Sequence, residues 1–470
     1  MMQWQNCVDE MLKTIGSFAN SNRGCARALL LGLWLVLLPE RVLGAGIAVM
    51  EQSVKELGQA FSGAPTNTED GSMVFFNPAA MSQVRGRLLS MAGYVIAPSA
   101  TFHDHASQLS PLASGAPLTG HHGGDSSKIA FIPNVYYVHE LTNRLALGIG
   151  FNAPFGMKNS YSSDWQGRYQ AIDSEIMTLN FNPSVSFKVT AKFSVGAGFN
   201  VQYLHTRLTN AIDFGTICSL QAGDAPCASR GLSPQAADGQ FALKGDSVGF
   251  GYNFGALYRF NDNNTRLGAS YRSRVSHDIH GHGNFSVPDN AVLLTQARGG
   301  QFIDTDTRNS ATLPDTVLFG FSHRVNPRWM ITADALWTHW SLIRELRTDF
   351  SSAQRDDILD LKWRDTWRYA VGISYFSESD KWTIRTGFAY DQTPVPNAQH
   401  RSPRIPDASR YWLTAGLTYA VFKHVHLHAA FAHLFMPDAG IDHSGATGDR
   451  LVGHYAEQIN IGGLQMDWRF

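Results

Sequence analysis

The stretch SVGFGYNFGALYRF, residues 247–260, places Val248, Phe250, Tyr252, Phe254, Ala256, Tyr258 and Phe260 on one parity and Gly249, Gly251, Asn253, Gly255 and Arg259 on the other. Strict alternation of this kind is a β-strand with a single apolar face. FSVGAGFNVQY repeats it, with Phe193, Val195, Ala197, Phe199, Val201 and Tyr203 opposite Ser194, Gly196, Gly198, Asn200 and Gln202. YWLTAGLTYAV, YAVGISY and WTIRTGFAY follow the same rule. The longer runs exceed the roughly five or six residues usual in soluble sheets. A soluble sandwich would pack two such apolar faces on each other with shorter strands. Here large apolar residues stand opposite glycine and small polar residues, aromatics gather near strand ends, and turns such as NDNNT, HRVNPR and SESDK are short. That is the pattern of a transmembrane β-barrel, apolar toward lipid and polar toward the lumen. Closure follows because lipid cannot satisfy an open sheet edge.

Strands are expected near 87–102, 128–139, 143–154, 172–190, 192–213, 239–260, 265–283, 315–326, 328–349, 359–376, 381–394, 406–421, 424–437 and 454–470. The count is fourteen, an even number as single-chain bacterial barrels require. Short connections alternate with longer ones, the longest at 103–127, 214–238, 284–314 and 438–453, so the short side is periplasmic and the long side external. The chain ends GGLQMDWRF, with Leu464, Met466, Trp468 and Phe470 alternating to the last residue, as a closing strand would. Ile459 and Ile461 lie on the opposite parity, and the switch at Gly462-Gly463 predicts a bulge there.

The apolar core Ala28–Leu38 is too short to span a bilayer. It follows Lys13, Arg23 and Arg27 and precedes Gly44 and Ala45, the layout of a secretory signal peptide over residues 1–44. An N-terminal anchor helix is the alternative, and translation starts at Met1 or Met11. Export leaves Cys218 and Cys227, close together in a polar Gly/Pro/Ala stretch, and predicts a loop disulfide between them. Lys plus Arg number 38 and Asp plus Glu 39, which excludes the basic surplus of a nucleic-acid binder, and only 16% of residues are charged, against about 25% in soluble domains. Residues 45–86 do not alternate. They hold a short helical pattern, a Gly/Pro/Thr/Asn loop and FFNPAAM, in which Asn can cap and Pro can open a helical turn. A fourteen-stranded lumen is too wide for side chains alone to fill, so 45–86 is expected as a plug and 87–470 as the barrel.

Read in order, AGIAV, GQAFSG, NPAAM, LGIGFNAPFGMKNSY, LKGDSVGFGYNFGALYRF, TRLGASYRS, LPDTVLFGFSHRV, DTWRYAVGISY, IRTGFAYDQTPVPN and RIPDASRYWLTAGLTY span the mature chain. In this run of motifs the chain resembles the FadL family of outer-membrane transporters of long-chain fatty acids and related hydrophobic compounds. The resemblance implies an all-β membrane fold, a 14-stranded antiparallel transmembrane β-barrel with a small N-terminal helical plug. It implies that Asn77, Pro78 and Ala79 form the plug motif, and that Asn152, Pro154, Phe155 and Gly156 form a kink in the third strand through which ligand leaves sideways. It also implies an outer capture site in the loops and a tighter site near the plug. The residues agree independently on the kink, since Pro154 cannot donate to a ladder and Gly156 weakens a strand.

The expected function is passive uptake of long-chain fatty acids, with aromatic hydrocarbons as alternative cargo, and a lipid-modifying enzyme or an open porin as readings of another class. Expected partners are the hydrophobic ligand, outer-membrane lipid with lipopolysaccharide, and the barrel-assembly machinery reading Phe470; no cofactor, metal or nucleic acid is expected. Ser247 in GDSVG lacks the strand–turn–helix elbow of a hydrolase nucleophile. His424, His426 and His428 share a strand face and are read as polar lumen residues rather than metal ligands. Lys158, Arg168, Arg207, Arg259 and Arg272 are candidates for a ligand carboxylate, against the simpler reading of internal salt bridges. Leu109, Leu112 and Leu118 are candidates for the outer capture site.

Overall fold

The computed structural model describes residues 46–260, 264–296 and 299–470. The signal-peptide reading of 1–44 lies outside them. Twenty strand segments form one sheet, and every pairing in it is antiparallel. Placed end to end they make fourteen wall strands. The first is Arg87–Asp104, the second Ala130–Glu140, and the third is split into Leu145–Asn152 and Gly156–Ser160. The fourth to sixth are Asp173–Lys188, Phe193–Asp213 and Asp238–Phe260. The seventh to tenth and the thirteenth are also split, near the outer end. The fourteenth is Arg450–Arg469.

The wall closes where the first strand meets the last, in unbroken register from Leu88↔Arg469 to Asp104↔Gly453. Phe470 adds two main-chain bonds with Arg87, each of 2.9 Å. The expected bulge at Gly462-Gly463 is absent: Val95 faces Gly462 and Tyr94 faces Gly463 with no shift. The apolar residues change sides because the lumen is apolar at that level. Ile459 and Ile461 point inward and are buried with Val54, Leu57, Phe61 and Trp412, while Leu464 faces outward.

The apolar parity read from the sequence is the outer surface. Phe250, Phe254 and Leu413 are each more than half exposed there, as a lipid-facing wall requires. Near the short hairpins Trp329 packs on Tyr375, Trp382 on Tyr419 and Phe193 on Tyr258, an interfacial girdle. The fifth and sixth strands have 21 and 23 residues. At about 3.3 Å per residue they run far past an apolar band about 25 Å tall, so they stand above the membrane on the side of the long loops.

Residues 46–86 lie inside the wall. Helices Val54–Leu57 and Met73–Phe76 and the tight turns Ala64–Thr66 and Pro78–Gln83 are almost wholly buried. Ser53 caps the first helix by accepting from Glu56 N–H, and Asn77 caps the last turn by accepting from Ala79 N–H. What lets this segment sit so close to the wall is a belt of inward-facing glycines. A Cβ added at Gly196, Gly255, Gly268, Gly320, Gly372, Gly387, Gly416 or Gly463 would come within 3 Å of its atoms. Three cross-strand pairs, Gly196↔Gly255, Gly268↔Gly320 and Gly372↔Gly387, account for six of these eight positions. Each glycine removes the side chain that would hold the segment's backbone away.

Candidate functional site

The third strand stops at Asn152 and resumes at Gly156. Pro154 has no N–H to place in the ladder. Pairing with the second strand ends at Val135↔Phe151 and returns only as an isolated bridge, Ser127↔Asn159. In between, Gly156–Lys158 pairs with the fourth strand, from Gly156↔Met177 to Lys158↔Glu175, and not with the second. The wall therefore has a window between the second and third strands.

A strap of residues 46–52 lies across this window from the lumen side. Ala48 and Phe155 form an antiparallel bridge. Gly156 N–H donates to Ile47 O at 2.8 Å and Val49 N–H to Pro154 O at 2.9 Å. Gln52 Nε2 donates to Ala153 O at 3.1 Å. The second strand holds the other side: Asn134 Nδ2 donates to Glu51 O at 2.8 Å, and Tyr136 Oη to Gln52 Oε1 at 3.1 Å. The strap takes up backbone groups of the broken strand that would otherwise be unpaired.

Beyond the strap is a mostly apolar cavity. Its walls include Ile47, Met157, Leu204, Ile279, Leu313 and Trp363. Phe155 belongs to the same apolar cluster, with its ring edge-on to Trp340 at 6.3 Å. Strap and kink are thus part of the cavity wall. Two guanidinium groups reach the cavity. Arg347 is neutralised by Glu345 and Asp356. Arg404 bonds only neutral groups: Nη1 to Asp173 O, Ser174 Oγ and Thr209 O at 3.1–3.3 Å, and Nη2 to Asn210 Oδ1 at 3.0 Å. Burial pulls the Arg404 guanidinium below its ordinary value, with nearby Asp357 acting the other way. The site is a mostly apolar chamber with the Arg404 guanidinium and the Asp357 carboxylate in its wall, closed toward a gap in the wall by a strap held through a few hydrogen bonds.

A family model described as outer membrane protein transport protein (OMPP1/FadL/TodX) matches residues 35–470. The chain belongs to this family.

Like the rest of this family of transport proteins, it is placed in the outer membrane. It is 30% identical to the long-chain fatty acid transport protein of Escherichia coli O6:H1, over 83% of this chain and 86% of that one. The crystal structure of a Pseudomonas aeruginosa FadL homologue superposes with a TM-score of 0.82 at 25% identity, covering 91% of this chain and all of the other. A toluene transporter of Pseudomonas putida, TodX, superposes with a TM-score of 0.65 at 18% identity, over 91% and 100%, a likeness of fold.

For this FadL-type chain, Asn152, Pro154, Phe155 and Gly156 are brought together at the window. Asn77, Pro78 and Ala79 lie deep in the lumen, where Asn77 Nδ2 also donates to Pro65 O at 2.7 Å and to Ala256 O at 3.0 Å. Cys218 and Cys227 are bonded, Cα to Cα 5.9 Å, and join helices Phe214–Ala222 and Asp224–Ala228 in an outer loop. Ser247 sits in the middle of the sixth strand. His428 is buried between Thr418 Oγ1, at 2.7 Å from Nδ1, and Asp467 Oδ2, at 2.8 Å from Nε2.

The sequence-based candidates for a carboxylate anchor are otherwise engaged. Lys158 pairs with Glu175 at 3.1 Å, Arg168 with Asp238 at 2.7 Å and Arg207 with Asp173 at 3.5 Å. Arg272 bonds Asn200 and Phe75 O and lies over the Phe75 ring, and Arg259 is at the periplasmic mouth. Of the three leucines proposed for outer capture, Leu109 and Leu118 are buried under their own loop with Tyr169 and Ile172; Leu112 alone is exposed. A loop apolar residue buries itself on its neighbours unless geometry forbids it. Arg404 escaped sequence reading because RSPRIPD belongs to no periodic element.

Proposed function

We propose that this protein takes up long-chain fatty acids, with the carboxylate on Arg404, the tail in the cavity and sideways exit through the window once the strap moves. The observation that carries the substrate class is Arg404: a guanidinium reaching a mostly apolar chamber with only neutral hydrogen-bond partners. A neutral aromatic hydrocarbon makes no use of that guanidinium, whereas an amphiphilic monoanion matches both parts of the site. The naming of an Escherichia coli relative as a long-chain fatty acid transport protein supports the same reading. Each methylene moved from water into the cavity contributes about 0.8 kcal/mol, so no energy source is needed to load it. Residues 45–86 act as the plug, and lateral release delivers the ligand to the bilayer without returning its tail to water.

The test is uptake of labelled oleate by cells that lack their own importer. Expression of this protein should restore it. Arg404→Leu should weaken oleate binding tenfold or more, the ~1.5–3 kcal/mol of a hydrogen bond to a charged group, while toluene uptake stays as it was. Equal loss for both ligands, or restored growth on toluene but never on oleate, would remove the fatty-acid assignment.

The same reading gives the barrel two macromolecular partners. Its tall fifth and sixth strands stand in the lipopolysaccharide layer, and Phe470, seated on the closing seam beside Arg87, is the signal for the assembly machinery. Deleting Phe470 should cut the amount of folded barrel in the outer membrane several-fold, read as heat-shifted gel mobility, without changing transport per folded molecule.

A further inference from the structure

The segment Asp357–Asp360 is the outer part of the tenth wall strand. Asp357 and Leu359, with Leu361 just after them, alternate toward the chamber and line it; Ile358 and Asp360 between them do not. The facing segment agrees. Leu346 stands opposite Leu359 and Thr348 opposite Asp357, and both line the chamber. A carboxylate therefore occupies a position on the inner parity where its neighbours are leucines and a threonine. Alternation by itself would place an apolar residue there.

That carboxylate is uncommitted. The acids beside it in the chain are taken: Asp356 by Arg347 at 2.9 Å and Asp360 by Lys362 at 2.7 Å. Among the described residues Asp357 has no cation within ion-pair distance. The charged side chains of the chamber wall are Arg347, Asp357 and Arg404. Arg347 is neutralised by Glu345 and Asp356, which leaves Asp357, at the exposed end of the row, and the half-buried Arg404. Asp357 is the carboxylate whose charge supports the Arg404 guanidinium against burial. Opposite charges attract more strongly where little water separates them, and a guanidinium facing apolar surroundings with no anion in reach is costly.

A fatty-acid carboxylate on Arg404 brings a second negative charge into the field of the same guanidinium. It gains Arg404 and meets Asp357. Resting on the seat proposed above for the carboxylate, we infer that Asp357 determines how tightly an acid is held: it competes with the ligand carboxylate for Arg404 and balances that charge again when the ligand leaves. Sites limit affinity by such repulsive elements as well as by missing contacts. Transport needs the limit. Affinity differences among related complexes lie mostly in the dissociation rate, and a ligand held too tightly is not passed on to the window. A neutral chain of the same length carries no charge for either group to act on, so Asp357 works on acids alone.

Equilibrium binding of labelled oleate and of oleyl alcohol, its neutral counterpart, to the purified protein in lipid nanodiscs tests this. Asp357→Asn should lower the Kd for oleate at least threefold and leave that for oleyl alcohol unchanged, with heat-shifted gel mobility reporting a folded barrel. Asp357→Glu, which keeps the charge, should keep the wild-type ratio of the two Kd values. In cells without their own importer Asp357→Asn should slow oleate uptake at saturating ligand at least twofold, because release is slower. An oleate Kd that stays or rises in Asp357→Asn, or equal tightening of both ligands, would overturn the role of Asp357 even where Arg404→Leu weakens oleate as expected. Oleate binding untouched by Arg404→Leu would remove the seat itself, and this role with it.

Discussion

A double variant, Ala48→Cys/Phe155→Cys, is expected to lose fatty-acid uptake more than tenfold under oxidising conditions and to recover it with a mild reductant. Ala48 and Phe155 are bridge partners across the window. Opposed residues of an antiparallel pair have Cα atoms about 4.5–5.5 Å apart, within the span of a disulfide. The bond would tie the strap to the kink. Without it, the strap is held to the kink by a few hydrogen bonds, each worth about 1 kcal/mol net, an amount that ligand binding can supply. The single variants measure the cost of losing the Phe155 ring from the cavity. Wild-type protein given the same reductant controls for the Cys218–Cys227 bond. Uptake at the wild-type rate by fully cross-linked protein would mean that ligand does not leave past this strap.

The second large effect is expected at the glycine belt. Gly196→Val would direct a branched side chain into the main chain of Pro78 and Ala79. Overpacking against movable side chains costs about 1–3 kcal/mol. Here the opposing atoms are backbone, held by the Asn77 cap and its bonds to Pro65 and Ala256, so the segment must leave its seat. The wall does not depend on it for pairing, and the variant should still assemble. In planar bilayers it should pass a large steady ionic current where the wild type passes little. Gly462→Val is the matched control. Gly462 is the neighbour of the belt glycine Gly463 on the same strand, but has nothing within 4 Å of its Cβ position, so its substitution should leave the current small. A closed, uptake-competent Gly196→Val would show that residues 46–86 do not block the bore.

The wall was legible in the sequence because its determinants are local and repeat. An apolar residue at every second position, beside lipid on one side, specifies a strand wherever it occurs, and short turns count the hairpins. That is why Val248 to Phe260 could be assigned to the outside residue by residue, and why Pro154 marked the break in the third strand. The same rule misled at Ile459 and Ile461. Two apolar residues on the inner parity read as a bulge, whereas they are where the wall touches the segment within.

Tertiary structure alone decided how the inner segment is seated in the lumen. Val54 N–H meets Gln465 Oε1 across 411 residues, and Arg368 reaches Ala60 O across 308. No period in the chain encodes such meetings. The inward glycines read in the sequence as merely small; their use, as the seat of the inner segment, appears only when that segment is in place. Arg404 became a candidate anchor because folding brings one non-periodic loop against the fourth and fifth strands and leaves its charge facing an apolar chamber. Alternation beside lipid is a property of each strand by itself, so sequence suffices for it. The strap, the cavity and the anchor are properties of parts far apart in the chain that closure of the barrel forces together.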